Sequence, residues 1–396
     1  MQEPSGRRLT VLVCAILAAA VLLPVGAHAI ATRYHDDSLW ANAAGSLGGS
    51  NRPGDFGYVF LPAANDVLAG RSPYMDPDLF NGPPQAPYAY PPLLALLVTP
   101  LAVLPETVAH VLVPGVLFSL LLVAATVGAL YLFDVRDWRC YLVALLYPFT
   151  LEAIEYGAVG PVLLLLIALA WRYRDRPAVT GAAVGGSTVL KLFLWPLAVW
   201  LALTGRVRAA ALAVAAGVAL ALGSWAAVGF HGVSAYPRLL RKLADVEAEN
   251  SYSAFAILHA VGLPDAAARA VVIVAGLGIL ALAARAARNF ADTMLERDRR
   301  SLILSLGAAL VLTPILWLHY LVLLLVPIAL ARPRFSALWV VPLVPTVFEA
   351  LNWYRGWPTG DGRALTSVAV VIAVVVVASL RRGGVGYEGD PQRAAG

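Results

Sequence analysis

Apolar runs recur from one end of the chain to the other, separated by short polar stretches, and many are long enough to cross a bilayer. Runs at 9–30, 107–133, 140–156, 158–172, 178–190, 192–204, 207–230, 265–288, 301–316, 318–331, 335–351 and 364–380 predict about twelve helical spans, the shorter ones packed inside a bundle. The stretch 93–104 is also apolar, but it is short and bounded by Pro91, Pro92 and Pro105, so it reads as a half-span or a surface helix. The polar remainder is a long segment at 31–90, a medium one at 231–263, a short one at 352–363, and a Gly-rich tail at 383–396 that reads as disordered. The long segment carries Val59-Phe60-Leu61 among its Gly, Pro and Asp residues and reads as a structured loop with short interfacial helices. The expected organisation is an all-α, polytopic transmembrane helix bundle over 1–382, with the 31–90 loop built into it, followed by the tail.

Charge orients this pattern. With the N-terminus cytoplasmic, Arg136 and Arg139, the 172–176 cluster, Arg206 and Arg208, the 285–300 cluster, Arg332 and Arg334, and Arg381 and Arg382 all fall on the cytoplasmic side. The C-terminus is then cytoplasmic too, and the loops 31–90, 231–263 and 352–363 lie outside. The segment 178–204 has an Arg-rich flank at each end, so it is expected to fold as a hairpin of two short helices with its tip near Lys191. Of the 29 basic residues only Lys191 and Lys242 are lysines, and Lys191 interrupts an apolar run.

Composition agrees with a membrane protein, since 60% of the 396 residues are hydrophobic and 13% are charged, against about 25% charged in soluble domains. The net charge of +5 is spread in short clusters between apolar runs, which speaks against a nucleic-acid surface. The two cysteines, Cys14 and Cys140, show no metal spacing and are expected not to pair. Ala27-His28-Ala29 resembles a signal-peptidase site, but the run before it is long enough to span, and a retained first helix is expected.

Three side chains carry the candidate chemistry. Asp55, in Gly54-Asp55-Phe56-Gly57-Tyr58 on the outer side, is either a turn aspartate or a general base for a hydroxyl; Asp36, Asp37 and Asp66 compete on the same loop. Lys191 costs about 2.5–3.5 kcal/mol to insert in an apolar segment, so it either snorkels to the interface or binds an anion such as a phosphate. His319, at the outer junction of two runs, is either a hydrogen-bonded core histidine or a phosphate donor and proton relay. Tyr74, Tyr88, Tyr90 and Trp317 are weaker candidates for substrate contact, as are Asn250 and Ser251 in a polar outer segment. No His pair or Asp/Cys cluster supports a metal site, and no nucleotide-binding loop or cofactor motif is present. An enzyme of this kind would draw on lipid-linked substrates; a transporter or lipid flippase using the same Lys and His, or a non-catalytic scaffold, would share the composition.

The order Gly54-Asp55-Phe56, Leu68-Ala69-Gly70-Arg71-Ser72-Pro73-Tyr74, Tyr90-Pro91-Pro92, the 101–105 segment, Lys191 with Pro196, Asn250-Ser251 and Trp317-Leu318-His319 resembles glycosyltransferase family 87. The resemblance implies a GT-C fold and an inverting enzyme of the plasma membrane and cell envelope. Its sugar, mannose first, with arabinofuranose as the alternative, would come from a polyprenyl-phosphate donor and pass to a glycolipid or glycan acceptor outside the cytoplasm. It implies Asp55 as the catalytic base, Lys191 as a donor-phosphate contact, and His319 as a phosphate contact or proton carrier, with no cofactor. Two departures stand out: Gly157-Ala158-Val159-Gly160 occupies the place of the family's Gly-Gln-x-Asn, and Tyr320 that of a second histidine.

Overall fold

Proline sits in the first turn of helix after helix, at Pro92, Pro148, Pro161, Pro177 and Pro196, where the missing N–H breaks no ladder bond. The same residues interrupt the apolar runs. The computed structural model describes residues 55–81, 87–105, 108–247, 251–343, 370 and 372–378. Among these every regular element is helical and there is no strand. The expected span at 9–30, Cys14, loop residues 31–54, Asn250, the tail 383–396 and most of 344–380 lie outside the described residues.

In chain order the α-helices are α1 (Leu61–Leu68), α2 (Pro92–Ala102), α3 (Ser119–Leu132), α4 (Trp138–Leu145), α5 (Pro148–Glu155), α6 (Gly160–Arg172) and α7 (Pro177–Leu190). They continue as α8 (Pro196–Leu203), α9 (Val207–Ala227), α10 (Tyr236–Val246), α11 (Ala254–Ala260), α12 (Asp265–Ala287), α13 (Met294–Leu312) and α14 (Leu325–Ala331). Wider π-helical turns lead into α1 over Phe56–Phe60 and into α3 over Val108–Phe118; tighter 3-10 turns at Leu192–Leu194 and Leu318–Leu324 lead into α8 and α14.

The expected spans are of unequal length in the structure. Among the described residues, only α9 and α12 are long and apolar enough to cross a membrane by themselves. The run 140–156 is broken at Tyr147-Pro148, and 178–204 is broken at Lys191, where the backbone turns extended (φ −150°, ψ 105°). The run 301–316 starts seven residues early, as α13 at Met294, with Thr293 capping the Glu296 N–H.

The chain nevertheless runs back and forth between two ends. Arg206, beyond α8, reaches Asp175, ahead of α7, at 3.0 Å, so α7 and α8 double back on each other and Lys191 lies at the far tip. The base of this hairpin is tied to the start of α13: Asp298, 3% exposed, accepts from Arg206 at 2.7 Å and from Arg174 at 3.2 Å. The connections after α3 and after α14 meet through Arg136 N–H to Pro333 O at 2.9 Å. The opposite end collects Asp55, Glu152, Lys191 and His319, described next. One continuous apolar core, including Trp200, Tyr147, Leu163 and Leu324, fills the space between the ends.

Candidate active site

Asp55 stands at the first turn of the helix that continues into α1, and aromatic anchors fix that turn. Phe56 and Phe60 are fully buried; Phe56 packs on Phe118 at 5.2 Å and Phe60 meets Tyr90 edge-on at 5.2 Å. The Phe56 N–H donates to Tyr156 O at 3.3 Å, tying the turn to the end of α5. Gly157 follows with φ +64°, and a Cβ there would lie 3.0 Å from that of Phe56, so both backbone angle and space call for glycine.

His319 arrives from a segment clamped by 251–253. Ser251 Oγ accepts from Leu316 N–H at 3.0 Å and Ser253 Oγ donates to Pro314 O at 2.8 Å. The imidazole is 4% exposed as a residue and lies between two carboxylates: Nε2 is 4.0 Å from Asp55 and Nδ1 is 3.6 Å from Glu152. Its carbonyl packs on the start of α6, where a Cβ at Gly160 would come within 2.8 Å of the oxygen and 3.0 Å of Val322. Gly160 is therefore what lets the His319 segment sit against α6.

Lys191 meets two rings. Its ammonium lies 4.1 Å from the centroid of Tyr90 and 4.7 Å from that of Tyr320. The two phenol hydroxyls are 2.8 Å apart, and Tyr90 Oη also stands 3.5 Å from Asp55 Oδ2. Burial at the hairpin tip pushes the lysine down to about 8, opposed by the nearby Asp55 carboxylate. A cation–π contact contributes about 0.5–2 kcal/mol, while a lysine in an apolar segment costs about 2.5–3.5 kcal/mol. The rings offset much of that cost, and a bound anion would add to them.

Asp55, Tyr90, Glu152, Lys191, Trp317 and His319 all line one cavity of about 570 Å³. Its remaining wall is largely apolar, with Leu192, Phe193, Trp195 and Leu312 from the hairpin and α13, and Leu240 and Leu243 from α10. Helix α10 is amphipathic, burying Leu239 and Leu243 while Arg238, Arg241 and Lys242 face outward. Among the described residues no group of three or more His, Cys, Asp or Glu side chains is arranged to hold a metal ion.

Three of the weaker sequence candidates do not line this cavity. Tyr74 donates to Tyr90 O at 2.9 Å and stacks on Trp225; Tyr88 donates to Pro91 O at 2.7 Å and accepts from Ala95 N–H at the start of α2; Ser251 is spent on the 316 turn. They shape the wall from behind. Glu152, Tyr156 and Glu247 line the cavity and were not singled out from sequence. Glu152 carried the same signal as Lys191, an ionisable group inside an apolar run, at 140–156.

A family model described as glycosyltransferase family 87 matches residues 88–314, more than half of the chain. The protein belongs to glycosyltransferase family 87. It is an enzyme that transfers glycosyl groups. No curated protein and no solved structure matches the chain. The family 87 match takes in Tyr90, Glu152, Lys191 and the wall helices, and stops short of Asp55 on one side and His319 on the other. In this family 87 chain those two outlying residues are joined to the matched core by the contacts with Tyr90, Glu152 and the α6 glycine.

Proposed function

We propose that this glycosyltransferase moves a sugar, mannose first, from a polyprenyl-phosphate donor to a glycolipid or glycan hydroxyl at the extracytoplasmic face of the plasma membrane. The observation that carries the reading is the meeting of Asp55, Lys191 and His319 at one cavity, although they lie far apart in sequence. Lys191 holds the donor phosphate, His319 contacts it or carries the proton, and the apolar wall of Leu192, Trp195 and Leu312 takes the start of the prenyl chain. Asp55 removes the proton from the acceptor hydroxyl as the oxygen attacks the anomeric carbon, and the phosphate departs from the opposite side with inversion. Donors fixed in a water-poor cavity stabilise the charge that gathers on the leaving phosphate. No step in this scheme calls on a metal or cofactor.

Membrane placement rests on apolar surface. Val214, Leu222, Val274 and Leu277, on α9 and α12, are each more than half exposed, and both helices are apolar on every side. Such surfaces are matched by lipid rather than water. In this reading the shorter helices cross inside the bundle as a GT-C-type polytopic domain covering 1–382, with Arg-rich connections cytoplasmic and the cavity outside. Against a transporter or flippase, the end opposite the cavity is held together by ion pairs of Asp298 with Arg174 and Arg206 across the α7–α8 hairpin and α13.

The test is transfer from radiolabelled polyprenyl-phosphate mannose to membrane-lipid acceptors, with the arabinofuranose donor run in parallel. Wild type should transfer one of these sugars, and Asp55→Asn should lose roughly 10²–10⁴-fold in rate at unchanged expression. Appreciable transfer by Asp55→Asn would remove the base; absence of transfer from either donor by wild type would remove the donor class.

A further inference from the structure

We propose that Glu152 is a positioning residue that fixes the tautomer of His319, so that the ring relays the acceptor's proton away from Asp55. The inference rests on Asp55 as the base. It starts from an imidazole whose two ring nitrogens are both buried without a hydrogen-bond partner. A buried polar group left unmade costs about 1–3 kcal/mol, so such a ring calls for an explanation. Each nitrogen faces a carboxylate just beyond bonding range, Nδ1 toward Glu152 at 3.6 Å and Nε2 toward Asp55 at 4.0 Å. Catalytic hydrogen bonds are often long before substrate binds and tighten in the complex.

The two contacts differ in chemistry. Glu152, on α5, is the nearer of the two carboxylates at 3.6 Å against 4.0 Å, while Asp55 stands beside Tyr90; both line the cavity. A carboxylate at Nδ1 accepts that nitrogen's hydrogen, which leaves the Nε2 lone pair aimed at Asp55. Free neutral imidazole favours hydrogen on Nε2, which would present a donor to Asp55 and block it from passing a proton on. Glu152 reverses that preference.

The acceptor O–H proton goes to Asp55 Oδ2 while the oxygen bonds to the anomeric carbon and the bond to the phosphate oxygen breaks, its electron pair staying with the phosphate. The proton then moves from Asp55 to Nε2, giving an imidazolium whose charge Glu152 offsets, and Asp55 is a base again. The ring gives up the proton to water or to the leaving phosphate when the products depart. The other titratable groups around the ring are Tyr320 on its own element, at 4.4 Å between ring centroids, and Tyr90 and Lys191 beyond it. None of them stands at Nδ1.

The test uses the full chain in nanodiscs with nitrogen-15-labelled histidine, the His319 signals being identified by their loss in His319→Asn. At a pH where the ring is neutral, His319 should carry its hydrogen on Nδ1, and Glu152→Leu should move it toward Nε2. Hydrogen on Nε2 in the wild type, or an unchanged tautomer in Glu152→Leu, overturns the proposal; the wild-type spectrum decides even if the variant fails to fold. In transfer assays with polyprenyl-phosphate mannose, Glu152→Leu should lower kcat roughly 10–100-fold with KM nearly unchanged. A raised KM with kcat intact overturns the relay. If Asp55→Asn stays active, the base assignment fails while the tautomer result stands, so the two failures separate.

Discussion

The Tyr90 ring lies under the Lys191 ammonium at 4.1 Å, and its hydroxyl stands 3.5 Å from Asp55. One side chain thus serves the cation through its face and the carboxylate through its edge. Tyr90→Phe keeps the face and should leave the donor KM unchanged while kcat falls severalfold. Tyr90→Leu also removes the face, and losing about 0.5–2 kcal/mol of cation–π attraction should raise the donor KM by roughly 2–30-fold. Steady-state kinetics with varied donor separates the two effects, and equal KM values for Phe and Leu would discount the cation–π contact.

Lys191 sets an alkaline limit. Burial lowers it to about 8, so below that pH the ammonium is charged and attracts the donor phosphate, and above it the charge is lost. The donor kcat/KM should therefore decline as pH rises through about 8. Lys191→Arg, charged at every accessible pH, should flatten that limb. A limb that persists unchanged in Lys191→Arg would belong to another group.

Gly160→Ala should disturb the site without touching any polar side chain. The added Cβ meets the His319 carbonyl at 2.8 Å, a backbone atom that cannot rotate away. The expected cost of such overpacking is about 1–3 kcal/mol, read as a lower melting temperature, together with a drop in transfer as His319 is displaced. Gly186→Ala, which meets nothing within 4 Å, is the matched control and should be nearly silent.

At the opposite end, Arg206→Met leaves the 3%-exposed Asp298 with Arg174 as its remaining partner. Breaking a buried pair by removing one partner costs roughly 3–5 kcal/mol. Thermal unfolding should show a large loss in Arg206→Met and a smaller one in Arg206→Met with Asp298→Leu, where the buried carboxylate is gone and the unpaired Arg174 is partly exposed.

Charge placement along the chain carried much of this arrangement. Two Arg-rich flanks around a 27-residue apolar stretch imply a hairpin, and Asp175 with Arg206 forms its base. Asp55, Lys191 and His319, which line one cavity, stand out in the sequence because each is a polar group beside or within an apolar run. Glu152 gave the same kind of signal on α5 and went unread. The Tyr90–Tyr320 pair could not be read, since 230 positions separate two tyrosines that each pass for an ordinary membrane-interface residue. Tyr74, Tyr88 and Ser251 are only weak candidates in the sequence, which does not reveal that a backbone carbonyl or N–H takes up each hydroxyl. The run 140–156 reads as one helix because hydropathy averages over Pro148, whereas the break at Lys191 is implied by the Arg-rich flanks on either side.

The clasp of Asp175 and Arg206 and the ammonium of Lys191 sit at the two ends of α7, a helix of 14 residues. Helix length here works as a gauge, setting how far the cation protrudes from a fixed footing. One residue inserted into α7 would lift the tip by about 1.5 Å and turn it by about 100°, swinging the ammonium off both rings while the clasp stayed closed. The enzyme's calibration is thus written in a count of residues, and outside Gly181 and Gly185, which press on α9, α7 should tolerate changed side chains far better than a changed number of them.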